Sequence, residues 1–119
     1  MNDINFLKVN GVDIDSGINT LGVEFYNETL NIFLNEIMDK INKLQECFMT
    51  NNMKDYATYV HAIKGESLYL GFTELARQAL EHQTMSEQGN FEYIKNNFIP
   101  LITEISRVIK VARIYLGKE

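Results

Sequence analysis

The residues best suited to chemistry are His61, Lys64 and Gly65, in the run Tyr59-Val-His-Ala-Ile-Lys-Gly-Glu-Ser-Leu-Tyr-Leu-Gly71. Imidazole is a nucleophile whose free base is well populated at neutral pH. Read as a helix at about 100° per residue, the run separates into two faces. Tyr56, Tyr59, Val60, Ile63, Ser67 and Leu70 recur three or four apart, the stripe of a core-facing helix. His61 points about 140° away from the centre of that stripe, toward solvent. Its helical neighbours are Ala57, Thr58, Lys64, Gly65 and Leu68.

Each neighbour has a use if His61 takes up a phosphoryl group. Gly65 leaves the surface beside the ring open to a bulky partner, at a cost of up to about 1 kcal/mol relative to Ala within a helix. Lys64 offers a flexible positive charge to phosphate oxygens. Ala57 keeps the preceding turn small. The plain alternative is a solvated histidine beside an incidental glycine, and the spacing of Lys64 and Gly65 favours the chemical reading over it.

The run His61-Ala-Ile-Lys64-Gly65-Glu-Ser67-Leu-Tyr-Leu70-Gly71, continuing to Leu75, resembles the signature of histidine-containing phosphotransfer (HPt) domains. That pattern is His, any residue, an aliphatic, Lys, Gly, two mostly small residues, two variable positions, an aliphatic, Gly. His61, Ile63, Lys64, Gly65, Ser67, Leu70 and Gly71 fit it. Glu66 departs from it and brings a negative charge close to the proposed site, and Tyr69 stands where a polar residue is common. Gly11-Val-Asp-Ile-Asp-Ser-Gly17 followed by Leu21-Gly22 resembles, more weakly, the entry into such domains.

The resemblance implies that His61 is a phospho-acceptor in a two-component phosphorelay, attended by Lys64 and Gly65. It also implies that Gln83 reaches across to the imidazole, fixes its tautomer and aims the other nitrogen outward; the alternative, an exposed helix glutamine, has equal standing. Ala57, Thr58, Leu68 and Phe72 are the candidate docking surface for a partner. The partners implied are response-regulator receiver domains and a hybrid sensor histidine kinase, with Mg²⁺ carried by the receiver and no cofactor of the chain's own. Two rivals stand beside this reading. One is an adaptor of the same fold that binds receivers without carrying phosphate. The other is an unrelated helical bundle that binds a metal or a partner helix.

The elements that position these residues are helical. The chain has 119 residues, 45% hydrophobic and 23% charged, which suits one folded domain. A single proline and little two-residue alternation argue against an all-β fold. The expected fold class is all-α: an antiparallel up-down-up-down four-helix bundle with a short additional N-terminal helix. Residues 1–13 read as a loose arm. Asp15 or Ser16 is placed to cap a short helix through Leu21, stopped by Gly22. A long helix over about 24–50 would bury Phe25, Leu30, Phe33, Ile37, Ile41, Leu44 and Phe48.

Thr50-Asn-Asn52 breaks that helix, and Asn52 caps the His61 helix, which starts near Met53 and ends at Gly71. Thr73 is placed to cap the next helix, whose apolar positions include Leu75, Ala76, Ala79 and Leu80; residues 86–90 read as the following loop. The last helix, about 91–116, carries Ile94, Phe98, Leu101, Ile102, Ile105, Ile109, Ala112 and Leu116 on one side, and Pro100 is expected to kink or split it. Met38, Met49, Met53 and Met85 read as core filler.

The remaining features narrow the function. His82, near Glu81 and Glu87, lacks the Glu-x-x-His spacing of a bundle metal site and reads as a surface or boundary histidine. No glycine-rich phosphate loop, paired carboxylates or nucleophile elbow is present, so the chain is expected to receive phosphate and pass it on rather than use ATP. The net charge of −5 gives no reason to expect nucleic acid. No apolar run approaches the roughly 20 residues that cross a membrane. The N-terminus lacks a secretion signal. The one cysteine, Cys47, reads as a small apolar residue near a helix end and suits a reducing compartment. A cytoplasmic monomer is the expectation.

Overall fold

The computed structural model describes residues 3–119, and in them the chain forms six helices. These are α1 (Ile4–Val9), α2 (Ile18–Leu21), α3 (Val23–Met49), α4 (Met53–Leu70), α5 (Thr73–Glu87) and α6 (Phe91–Leu116). The links between the four long helices span only residues 50–52, 71–72 and 88–90. Connections this short leave successive helices antiparallel neighbours. Each packs on the one before it, and α3 closes the ring against α6.

Local sequence explains where the helices begin and end. Asn52 accepts a hydrogen bond from the Asp55 backbone N–H at 3.2 Å, and Asn90 does the same for Tyr93 at 3.1 Å, each satisfying an orphan donor of a first turn. Helix α4 stops at Gly71, whose φ of +84° is the left-handed conformation that glycine adopts without steric cost. The Phe72 N–H turns back to the Ser67 carbonyl at 2.8 Å, and the Asp13 N–H donates to the Gly71 carbonyl at 2.8 Å.

The expected stripes are largely those that are buried. On α4 these are Tyr56, Val60, Ile63, Ser67 and Leu70, with Tyr59 partly buried; on α6 Ile94, Phe98, Leu101, Ile105, Ala112 and Leu116 are buried. On α3, Leu30, Phe33, Ile37 and Leu44 are buried while Ile41 and Phe48 are partly so. Cys47 is buried, as its reading as a small apolar residue requires. Phe48 stacks between Phe91 and Phe98 of α6 at 5.5 and 4.7 Å.

Several expectations are corrected. Phe25 is half exposed, and its neighbour Tyr26 enters the core instead, donating its hydroxyl to the Leu70 carbonyl at 2.7 Å. Leu80 is exposed because the buried side of α5 runs Leu75, Ala79, His82 and Ser86. Met38 and Met49 are exposed and fill no core; Met53 is buried and Met85 partly so.

The arm expected over residues 1–13 is not loose over its described part; Met1 and Asn2 lie outside the described residues. Asp3 caps α1, Leu7 is fully buried, and Arg107 of α6 donates to the Asn10 carbonyl at 3.0 Å. A six-residue helix has too few hydrogen bonds to hold itself, so packing on α6 supplies what propensity lacks. Neither Asp15 nor Ser16 caps α2, whose cap position is Gly17; Asp13 instead binds the Asp15 and Ser16 backbones. Thr73 is the first residue of α5 rather than its cap. Helix α6 runs unbroken through Pro100, so it is not split there; Pro100 sits on the exposed side.

Candidate functional site

His61 stands on the exposed side of α4, one turn from Gly65 and beside the α4–α5 seam. Its Nδ1 lies 3.1 Å from Oε1 of Gln83 on α5. An amide oxygen only accepts hydrogen bonds, so this contact requires the proton on Nδ1 and leaves the Nε2 lone pair free toward solvent. Of the two readings of Gln83, the one that brings it to the ring is therefore realised. The pair forms because α4 and α5 run antiparallel in close contact, and Ala57, Ala76 and Ala79 on the facing sides are small.

Gly65 is exposed, and beyond the helix's own backbone a Cβ on it would meet nothing within 4 Å among the described residues. The space beside the imidazole is thus open on the side of the next turn. Lys64 is half-buried and, among the described residues, has no hydrogen bond or ion pair to occupy its ammonium. An open groove continues from His61 between the helices, lined by Lys54, Ala57, Thr58, Gln83 and Glu87. Ala57 is mostly buried and offers only its remaining surface to that groove; Thr58 is exposed. Leu68 is 54% exposed on the same helix.

Two expectations near the site are overturned. Phe72 is only 1% exposed and presents no docking surface: after the left-handed turn at Gly71 the chain folds inward, and the ring packs 6.0 Å from Phe33. Glu66 does not face His61. Five residues along a helix rotate the side chain to the other flank, where Glu66 meets Lys40 of α3 at 2.5 Å.

His82 is the residue that sequence reading misplaced most. It is 2% exposed, not a surface or boundary histidine. The Tyr56 hydroxyl lies 2.8 Å from its Nδ1, and the Asn97 backbone also hydrogen-bonds the imidazole. Burial pushes its pKa down to about 4, against a smaller opposing effect of the Asn97 bond. The signal was present in the sequence: His82 lies three residues after Ala79 and seven after Leu75, on the apolar stripe of α5.

Among the described residues, no group of three or more His, Cys, Asp or Glu is placed to hold a metal ion, and no helix is long and apolar enough to cross a membrane. Residues 28–108 match the family model described as Hpt domain. Searches of curated proteins and of solved structures give no significant match.

Proposed function

Since the chain belongs to the Hpt domain family, whose members carry phosphoryl groups on histidine in phosphorelays, we propose that His61 accepts a phosphoryl group from the aspartyl phosphate of one receiver domain and passes it to the aspartate of another. The observation that carries this reading is the His61–Gln83 contact at 3.1 Å, with nothing beside Gly65 to obstruct approach. Membership of the family also disposes of the rival in which the chain is an unrelated bundle.

In the forward step the Nε2 lone pair of His61 attacks phosphorus. The Nε2–P bond forms as the P–O bond to the receiver's aspartate breaks, and the carboxylate leaves with the electron pair. The Nδ1 proton stays in place, held by Gln83, so no proton need be lost for the nitrogen to react. Lys64 offsets the charge of the phosphohistidine, and Gly65 admits the receiver's loops. Phosphoryl transfer is mainly positioning and charge neutralisation. Mg²⁺ and the remaining charge-neutralising groups belong to the receiver. Thr58, Leu68 and the exposed edge of Ala57 form the surface on which it rests. The chain itself serves as carrier and not as an ATP-using kinase.

The test is label transfer from phosphorylated receiver domains and hybrid kinases of the same cell. His61→Gln is expected to fold and accept no label, and His82→Gln to accept it. Label retained by the folded His61→Gln protein defeats the assignment. Receiver binding by the wild type without any acid-labile, alkali-stable label favours an adaptor instead.

A further inference from the structure

Behind the His61–Gln83 contact, on the buried sides of the same two helices, lies a second polar link. Tyr56 of α4 is fully buried and His82 of α5 is 2% exposed, and 2.8 Å separates the hydroxyl from Nδ1. The His82 ring lies nearly parallel to Tyr56 at 6.0 Å and edge-on to Tyr93 of α6 at 5.5 Å. With Nδ1 engaged by Tyr56, the bond to the Asn97 backbone falls to Nε2, which must donate to the carbonyl. One proton arrangement satisfies every group: Nε2–H to Asn97, and the Tyr56 hydroxyl donating to Nδ1.

The charged and titratable groups near this link lie on three elements. Tyr93 on α6 donates to Glu81 at 2.7 Å, and Glu81 in turn binds Arg77, both on α5. Cys47 on α3 is buried and close enough to Tyr56 to influence it. Burial keeps the imidazole neutral at physiological pH, so Nδ1 remains an acceptor.

Apolar contacts between helices are non-directional and tolerate small slides. A buried hydrogen bond is held within a few tenths of an ångström and is costly to break. His82 is also the residue immediately before Gln83. We infer that the Tyr56–His82 hydrogen bond is a positioning pair: it sets the height of α5 against α4, which keeps Gln83 Oε1 level with His61 Nδ1 and so holds the reactive tautomer. This rests on the reading of His61 as phosphoryl acceptor and adds to it a role for two residues that touch no substrate.

The test is ¹⁵N NMR of the histidine rings in the full chain, read at about pH 8.5, where an ordinary imidazole is neutral. In the wild type His61 is expected mainly as the Nδ1–H form. Gln83→Ala should shift it toward Nε2–H, and Tyr56→Phe, which keeps the ring and deletes only the hydroxyl, should raise the Nε2–H to Nδ1–H ratio at least twofold. A shift in Gln83→Ala with none in folded Tyr56→Phe overturns the positioning role while leaving Gln83 intact. No shift in either overturns the Gln83 contact and the inference with it, while label transfer to His61 is tested separately. The wild type gives a check that needs no variant: His82 must appear as a non-titrating Nε2–H ring from pH 8 to 5. A His82 that titrates in that range, or shows the other tautomer, overturns the inference.

Discussion

Gly65 follows His61 by one helical turn, and apart from the helix's own backbone nothing among the described residues lies within 4 Å of the position its Cβ would take. Nothing among the described residues therefore requires glycine there, and its backbone is ordinary helix. Gly65→Ala should fold and gain stability, by up to about 1 kcal/mol in urea unfolding. Phosphoryl acceptance from a receiver should slow, because the added methyl occupies space that the partner needs. An unchanged transfer rate would show that the receiver approaches from another side.

Gly71, in the same motif, behaves in the opposite way. Its φ is +84°, and a Cβ there would collide with the Asp13 carbonyl oxygen. Gly71→Ala should cost about 1–3 kcal/mol through backbone strain and displacement of the residue 12–13 segment. Thermal unfolding reads this directly, and a variant as stable as the wild type would contradict the described turn.

Glu66 is turned to Lys40, with both side chains less than a third exposed. Glu66→Gln should lower stability by about 0.5–1 kcal/mol and leave the label-transfer rate within twofold of wild type. A large gain in transfer on removing this charge would mean that Glu66 faces the phosphoryl site after all.

His82 makes stability depend on pH. Its folded pKa of about 4 lies below the ordinary histidine value of 6.5, so between them the unfolded chain binds the extra proton. Stability therefore rises with pH through this window: it is complete above about 6.5 and lost as pH falls toward 4. The shift corresponds to a loss on the order of 3 kcal/mol. Urea unfolding of wild type and His82→Gln at pH 7 and 4.5 checks it, since the substitution should remove most of the slope. Glu74, held down to about 2 by hydrogen bonds from Arg77 and Gln78, takes effect only below its ordinary value of 4.5 and is exposed, so it adds little at pH 4.5.

Much of the site was legible in the sequence because helical period alone fixes which side chains share a face. Periodicity put His61, Lys64, Gly65 and Leu68 on one side of α4 and Val60, Ile63 and Leu70 on the other, and the folded chain agrees. Asn52 and Gly71 marked the ends of α4 for local reasons of capping and left-handed backbone. Residue type misled where it was set against position. His82 is polar by type but sits on the buried stripe of α5, where Tyr56 and Asn97 satisfy it, and Met38 is apolar by type but on the solvent side of α3.

Tertiary structure alone decided the rest, because it depends on which helix stands opposite. The sequence placed Gln83 one turn or so beyond the α5 core residues with no means of choosing between solvent and His61; the antiparallel packing of α4 and α5 brings it to 3.1 Å. The partner of Glu66, the burial of Phe72 against Phe33, and the anchoring of α1 through Leu7 and Arg107 are likewise contacts between distant segments. A chain's local code specifies faces and ends, whereas pairings across helices follow from how those faces close on one another.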